Sequence, residues 1–299
     1  RLFWLLLREK SDLLVANDLD TLLANYLVAR LRSKQLVYDS HEYFTEVPEL
    51  VERPGVRRVW LGIERWIFPK LKHVVTVNDS IADAYKERYG IRPAVVRNIP
   101  MHRDLGPLPS RSDLGLPADN FILIMQGSGI NVQRGAEEAV LAMKELPDAL
   151  LLLVGGGDAW PVLQKMVAAE GLQERVRLIT RMPYEQMMQY TRNADLGLSL
   201  DKDTNLNYRF SLPNKLFDYF RAHIPVLATD LPEVAAIVRR YDAGIVLPAP
   251  EPDLIVGAVR TLIGDEVRRK ALRQNSIFAA NSLNGERETE ALKALFQFG

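Results

Sequence analysis

The sequence predicts an α/β protein built from two parallel-sheet halves, and three observations carry that prediction. Short apolar, β-branched runs alternate with stretches of helical period, the pattern of strands joined by crossover helices. The alternation is interrupted between Pro100 and Pro117, where periodicity fades and prolines stand at 100, 107, 109 and 117. A second alternating series then begins, repeating the first in architecture but not in sequence.

In the first series, strands are expected at Asp12–Ala16, Gln35–Asp39, His73–Val77 and Ala94–Val96. Helices are expected near 19–32, 57–70 and 79–89, with Asp79 as N-cap of the last and Gly90 as its stop. In the second, strands fall at Phe121–Gln126, Ala149–Val154, Arg175–Ile179, Asp195–Leu200, Val226–Ala228 and Ile245–Leu247. Its helices fall near 135–146, 159–170, 184–193, 213–222, 231–240 and 252–263. From Asp265 the tail reads as two helices broken around Ser282–Gly285. The chain opens on a helix, Leu2–Arg8, where a doubly wound domain normally starts with a strand and a ligand-facing turn. The expectation is therefore a first half that lacks its first strand unit.

Composition narrows the classes. Hydrophobic residues make up 47% and charged residues 25%, as in an ordinary water-soluble domain, and no apolar run is long enough to span a membrane. The first residues do not resemble a secretory signal. The absence of cysteine removes disulfides, thiolate nucleophiles and cysteine metal sites, and suits the cytoplasm. Net charge is zero, but residues 1–103 hold 17 Lys and Arg against 13 Asp and Glu, and the remainder 21 against 25. An anionic partner for the first half is one reading of that split; a surface accident is the other. Nucleic acid is not among the expected partners.

Three segments carry chemistry. In Met125 to Gly135, between a strand and a helix, glycines let backbone approach a ligand and helix-start N–H groups attract phosphate oxygens. Arg134 adds a full positive charge there. It is not a dinucleotide fingerprint, because its third glycine would be Val132. The bland alternative is an ordinary strand-to-helix turn. The run Val154-Gly155-Gly156-Gly157-Asp158 fails the same fingerprint at Trp160, and Asp158 is expected to cap the next helix. These two failures count against a nicotinamide-dependent oxidoreductase. In the third segment, Asn205 to Phe220, Pro213 suits a first helical turn, and Lys215 and Asp218 share one helix face. A cation beside an anion suits a ligand with both phosphate and vicinal hydroxyls; alone, it reads as a surface salt bridge.

The ordered set resembles the retaining glycosyltransferases of family 4, of the GT-B fold, with two Rossmann-like parallel-sheet domains facing a cleft. It comprises Gly127 to Gly135, Val154 to Gly157, Pro213 to Tyr219, Ile224-Pro225-Val226, Asp230 to Glu233 and Ala243 to Val246, across most of the chain. The resemblance implies domains at 1–103 (acceptor side) and 104–282 (nucleotide-sugar side), with 283–299 returning to the first as a helix. It implies that Gly127, Ser128, Gly129 and Arg134, with Ser211, Asn214 and Lys215, hold the donor diphosphate and sugar. Asp218 would bind the ribose hydroxyls, and Arg181 with Met182 the base. His41, at the end of a strand in Tyr38-Asp39-Ser40-His41-Glu42, would be the catalytic residue, donating a hydrogen bond to sugar or phosphate; without the resemblance it reads as structural.

Three departures stand out. Of the family's frequent glutamate pair, Asp218 holds the second place and Phe210 the first; Ser128 replaces an arginine; Arg181 replaces a glycine. Backbone N–H groups of Ser211–Asn214 would then serve the sugar. The implied activity is transfer of a sugar from a nucleoside diphosphate to a glycan or lipid-linked acceptor, as in polysaccharide assembly, with retention and with no metal or other cofactor. Two other readings remain open: an inactive donor-binding fragment, and a GT-B nucleotide-sugar epimerase. Residues 56–70 form a basic, tryptophan-rich helix. Core packing accounts for Val59, Trp60, Ile63 and Ile67; peripheral contact with an anionic membrane, at the inner face of the cell, accounts for the arginines, Trp66 and Phe68.

Overall fold

The computed structural model describes residues 1–101 and 103–296, the side chain of Phe296 excepted. The chain divides into two units, one of residues 1–98, 203–212 and 285 onward, the other of 99–202 and 213–284.

In the first unit, β1 (Leu13–Asn17), β2 (Gln35–Ser40), β3 (His73–Thr76) and β4 (Ala94–Val95) lie in sequential order, all parallel. Helices Asp18–Arg32, Pro54–Ile67 and Asp79–Tyr89 connect them. The cap of the last is Asn78 rather than Asp79: its side chain accepts from Ile81 N, and Gly90 ends the helix in the left-handed region. Ile67, Phe68, Tyr38 and Tyr85 are the bulk of the core. Beside them sits a polar knot: Glu46 takes Arg57 at 2.6 Å and Arg88 at 2.9 Å, and the fully buried Glu64 accepts from Tyr89 at 2.5 Å. Burial holds the Glu64 carboxyl above its ordinary pKa.

Residues 203–212, which the sequence alone places in the second half, belong to this unit. Asn207 explains why: its Oδ1 accepts from Tyr43 N at 3.1 Å and its Nδ2 donates to Glu42 at 3.2 Å. Asn78 donates to the Phe210 carbonyl at 2.6 Å, and the Phe210 ring joins the aromatic cluster. Helix Gly285–Phe296 also belongs here, with Glu288 accepting from Arg97 N at 2.7 Å. Leu292 on it is half-buried, while Ala291 and Leu295 stay exposed. Gln297 and Phe298, also expected in that helix, lie outside the described residues.

The second unit holds β5 (Phe121–Gly127), β6 (Ala149–Gly155), β7 (Val176–Thr180), β8 (Leu196–Ser199), β9 (Val226–Thr229) and β10 (Gly244–Leu247). All are parallel, in the order β10-β9-β8-β5-β6-β7. The chain winds outward from β5 to β7, returns to the other side of β5, and winds outward again. Loops leaving β5 and β8 therefore diverge, and a crevice opens at their carboxyl ends, where open α/β sheets take ligands.

Candidate functional site

That crevice is a cavity of about 540 Å³ within the second unit. Tyr219 sets its floor. Beyond the Ile124–Gly197 pairing β5 and β8 part, and the Tyr219 hydroxyl enters the gap, donating to Leu198 O at 3.0 Å. Only glycine at 197 leaves room, since a Cβ there would lie 2.3 Å from the Tyr219 ring. Tyr219 thereby fixes its neighbour Asp218, which lines the cavity at 6% exposure. Gln126 Nε2 donates to Asp218 Oδ2 at 3.1 Å, and Tyr184 donates to Oδ1 at 2.7 Å. The Gln126 carbonyl is taken by the Thr191 hydroxyl, which orients the amide toward the carboxylate. Burial raises the Asp218 pKa; Tyr184, Arg221 and Gln126 oppose the rise.

Arg134 and Lys215 meet on one buried carboxylate, Asp201, with the guanidinium at 2.7 Å from Oδ2 and the ammonium at 3.5 Å from Oδ1. Asp201 is 2% exposed. Burial pulls the Lys215 pKa down, Asp201 pulls it back, and Arg134 adds to the fall. Two cations, 81 residues apart in sequence, are thus fixed at the cavity wall, both against Asp201. Such a pair stands ready to stabilise a polyanion that enters beside it.

The two glycine segments are bound to each other. Ile130 N donates to Gly156 O at 2.7 Å, and Asp158 accepts from Val132 N at 2.7 Å. Asp158 therefore holds the first glycine turn and does not cap its own helix, whose N-cap is Ala159. A Cβ on Gly155, at φ +141°, would lie 1.8 Å from the Gly127 carbonyl oxygen. Gly135, the N-cap residue after Arg134 and left-handed at φ +77°, would bring a Cβ to 2.3 Å from Leu200 O. Arg181 closes the rim by donating to Ser128 O at 2.5 Å.

Gly127, Ser128, Gly129, Arg134, Arg181, Met182, Asn214, Lys215 and Asp218 all line this cavity. Ser211 and His41 belong to the other unit. Ser211 N is committed to Tyr208 O at 3.1 Å, so that amide is not available to a sugar. Phe210, in place of the family's first carboxylate, is spent on the aromatic cluster of the first unit. His41 follows β2, with Nε2 at 3.3 Å from Asp39, and a hydrogen bond to Asp39 raises its pKa. Asp201, Gln126 and Tyr184 were not singled out from sequence. The available signal was position: Gln126 is at the end of one strand, Asp201 just beyond another, and Tyr184 opens a helix. Among the described residues, no group of three His, Asp or Glu is arranged to hold a metal ion.

A family model described as Glycosyl transferases group 1 matches residues 109–277, and one described as Glycosyltransferase Family 4 matches residues 1–105. Alpha-D-kanosaminyltransferase of Streptomyces kanamyceticus is 22% identical over 266 residues, which are 84% of this chain and 67% of that protein. Sucrose-phosphate synthase from Thermosynechococcus elongatus superposes with a TM-score of 0.75 at 20% identity, over 96% of this chain and 73% of its own. Anabaena HepE, solved in complex with UDP, gives 0.74 at 18% identity, over 95% and 79%. HepE has also been solved with UDP-glucose. At these identities the structural likeness speaks for the fold.

Proposed function

The chain belongs to the glycosyl transferases group 1 and has the GT-B fold, and from that premise we propose that it uses a nucleoside diphosphate-sugar to glycosylate a glycan or lipid-linked acceptor, with retention at the anomeric carbon. One observation carries the donor reading: Arg134 and Lys215 converge at a cavity wall that also holds Asp218. The two cations take the diphosphate and stabilise it as it leaves; Asp218 grips the ribose hydroxyls; the turn at Arg181–Met182 carries the base. With two protein cations at the leaving group, transfer needs no divalent metal. His41 serves as hydrogen-bond donor to the sugar or phosphate, oriented by Asp39.

A panel of UDP-, GDP- and other sugar donors, scored by thermal stabilisation and then by diphosphate release with acceptor extracts, tests the reading. Stabilisation with acceptor-dependent release is expected. Stabilisation without turnover would mean a donor-binding fragment, and conversion of free donor to a stereoisomer an epimerase. Arg134→Gln or Lys215→Gln should weaken the nucleoside diphosphate by about 10–100-fold, from about 1.5–3 kcal/mol per charged hydrogen bond. The bare nucleoside should bind as before, and equal weakening of both would mean structural damage instead.

The reading of a lipid-linked acceptor is supported by the helix Pro54–Ile67. Val59, expected in the core, is 63% exposed, and Trp66 is 48% exposed, with Lys70 over its ring at 4.6 Å. Arg58 and Arg65, one row round the helix from them, are exposed as well. Such a face fits an anionic bilayer surface. Arg57 does not take part, being held by Glu46 and the Thr45 carbonyl. Arg58→Glu with Arg65→Glu should remove most sedimentation with phosphatidylglycerol vesicles, at about 1 kcal/mol per basic residue. If the unaltered protein does not sediment with them, the membrane contact is disproved.

A further inference from the structure

A second cavity, of about 400 Å³, lies in the second unit and shares no lining residue with the first. Its wall is cationic: Arg192 ends the helix Tyr184–Asn193, Arg221 ends the helix Asn214–Arg221, and Arg273 comes from the helix Glu266–Ser282. Arg103 adds a fourth guanidinium, and Asp104 is the one carboxylate among the lining residues. Arg103 is paired with Glu185 at 3.4 Å, but the other three make no ion pair among the described residues. Arg192 donates to Gly106 O at 3.0 Å, and Arg221 to Pro100 O at 2.7 Å and to the Tyr184 hydroxyl at 3.3 Å. Arg273 makes no ion pair or hydrogen bond among the described residues. His223 stands among them in the left-handed region at φ +60°, where it closes the end of the helix Asn214–Arg221. Burial, Arg273 and Arg192 all push its pKa down, so at neutral pH the ring is neutral beside the guanidinium groups.

Arg192, Arg221 and Arg273, gathered at one cavity without an ion pair of their own among the described residues, repel one another, and a doubly charged anion removes that repulsion through paired N–H donors. We propose that this cavity is a second anion site that binds the phosphate group of a soluble phosphate ester between Arg192, Arg273 and His223. The site is separate from the donor diphosphate's, and it stands or falls independently of the transferase reading. It is coupled to that cavity, because Arg221 bonds the same Tyr184 hydroxyl that bonds Asp218.

The histidine ring resonances report occupancy directly, since the chain has four histidines and His223→Asn assigns the relevant one. Titration with inorganic phosphate, then with glycerol phosphate, should move the His223 signal saturably and raise its pKa, because the bound anion favours the imidazolium against Arg192, Arg273, Arg221 and Arg103. Sodium chloride at equal ionic strength should not reproduce the shift. Arg192→Gln with Arg273→Gln should weaken the response by about tenfold or more, the equivalent of a lost charged hydrogen bond. Lys215→Gln should leave it intact, which separates this site from the donor cavity. Far-ultraviolet circular dichroism checks that the variants remain folded. A linear response, one matched by chloride, or one retained in the double variant overturns the proposal. So does a response confined to phosphatidylglycerol vesicles, which would make the cavity a lipid-headgroup contact.

Discussion

Asp201→Asn is expected to lose about 3 kcal/mol of stability in the absence of nucleotide, and to be stabilised by UDP more than the unaltered protein is. The acid is buried between Arg134 and Lys215, and removing one member of a buried ion pair leaves a desolvated charge, above all the buried Lys215, without its counter-charge, at about 3–5 kcal/mol. The low end applies because the new amide oxygen still accepts from Arg134. A diphosphate entering the cavity supplies the missing negative charge, so part of the lost stability returns on binding. Urea unfolding with and without UDP measures both quantities. A variant of undiminished stability, or one with an unchanged gain from UDP, would show that the two cations do not face the diphosphate.

For Asp218→Ala, donor affinity should fall by about 1.5–3 kcal/mol, roughly 10–100-fold, the range for hydrogen bonds to a charged group. Donors lacking the 2′- or 3′-hydroxyl should be penalised against the unaltered protein, with little extra penalty against the variant. The acid limb of the pH profile gives an independent reading. Burial raises the Asp218 pKa, so the carboxylate proposed to grip ribose is lost on acidification at a pH above the ordinary aspartate range. The same shift has the opposite sign for the free protein. A carboxyl whose folded pKa is raised contributes stability that is fully present below its unfolded pKa and lost as pH rises through the folded one. Through that window donor affinity should rise with pH while the Asp218 contribution to unliganded stability falls. Asp218→Ala should abolish both trends; normal turnover in the variant would reduce Asp218 to a structural residue.

What could be read from sequence follows the range of the interactions involved. All the strands were legible because each is a short apolar run with its own turn signals, and the helices between them because period is a local property. Caps were less so: Asn78, not Asp79, closes the helix start, and Asp158 serves a turn 26 residues upstream. The motif order led to residues that line one cavity, since strand ends in a parallel sheet meet at the same edge. Asp201 escaped notice because nothing local tells an acid after β8 that it will stand between Arg134 and Lys215. Val59 fits the helical period of a core face, but the helix is rotated so that Trp60, Ile63 and Ile67 pack inward without it. The 203–212 segment is assigned by Asn207 and Phe210, whose partners lie more than a hundred residues away.

The contact between the two glycine turns has a consequence for mutational scanning. Gly155 and Gly127 touch backbone to backbone, and Gly135 is pressed against Leu200, so a methyl group at Gly155 or Gly135 collides with a carbonyl oxygen before any ligand arrives. A screen that scores product alone will rank these glycines beside Asp218 and credit them with binding the donor. Scored instead for cellular abundance, alanine at 155 or 135 should deplete the protein itself, whereas alanine at 218 should leave it abundant and silent. The glycines define the outline of the cavity by the side chains they lack, and their replacement acts through folding rather than through chemistry.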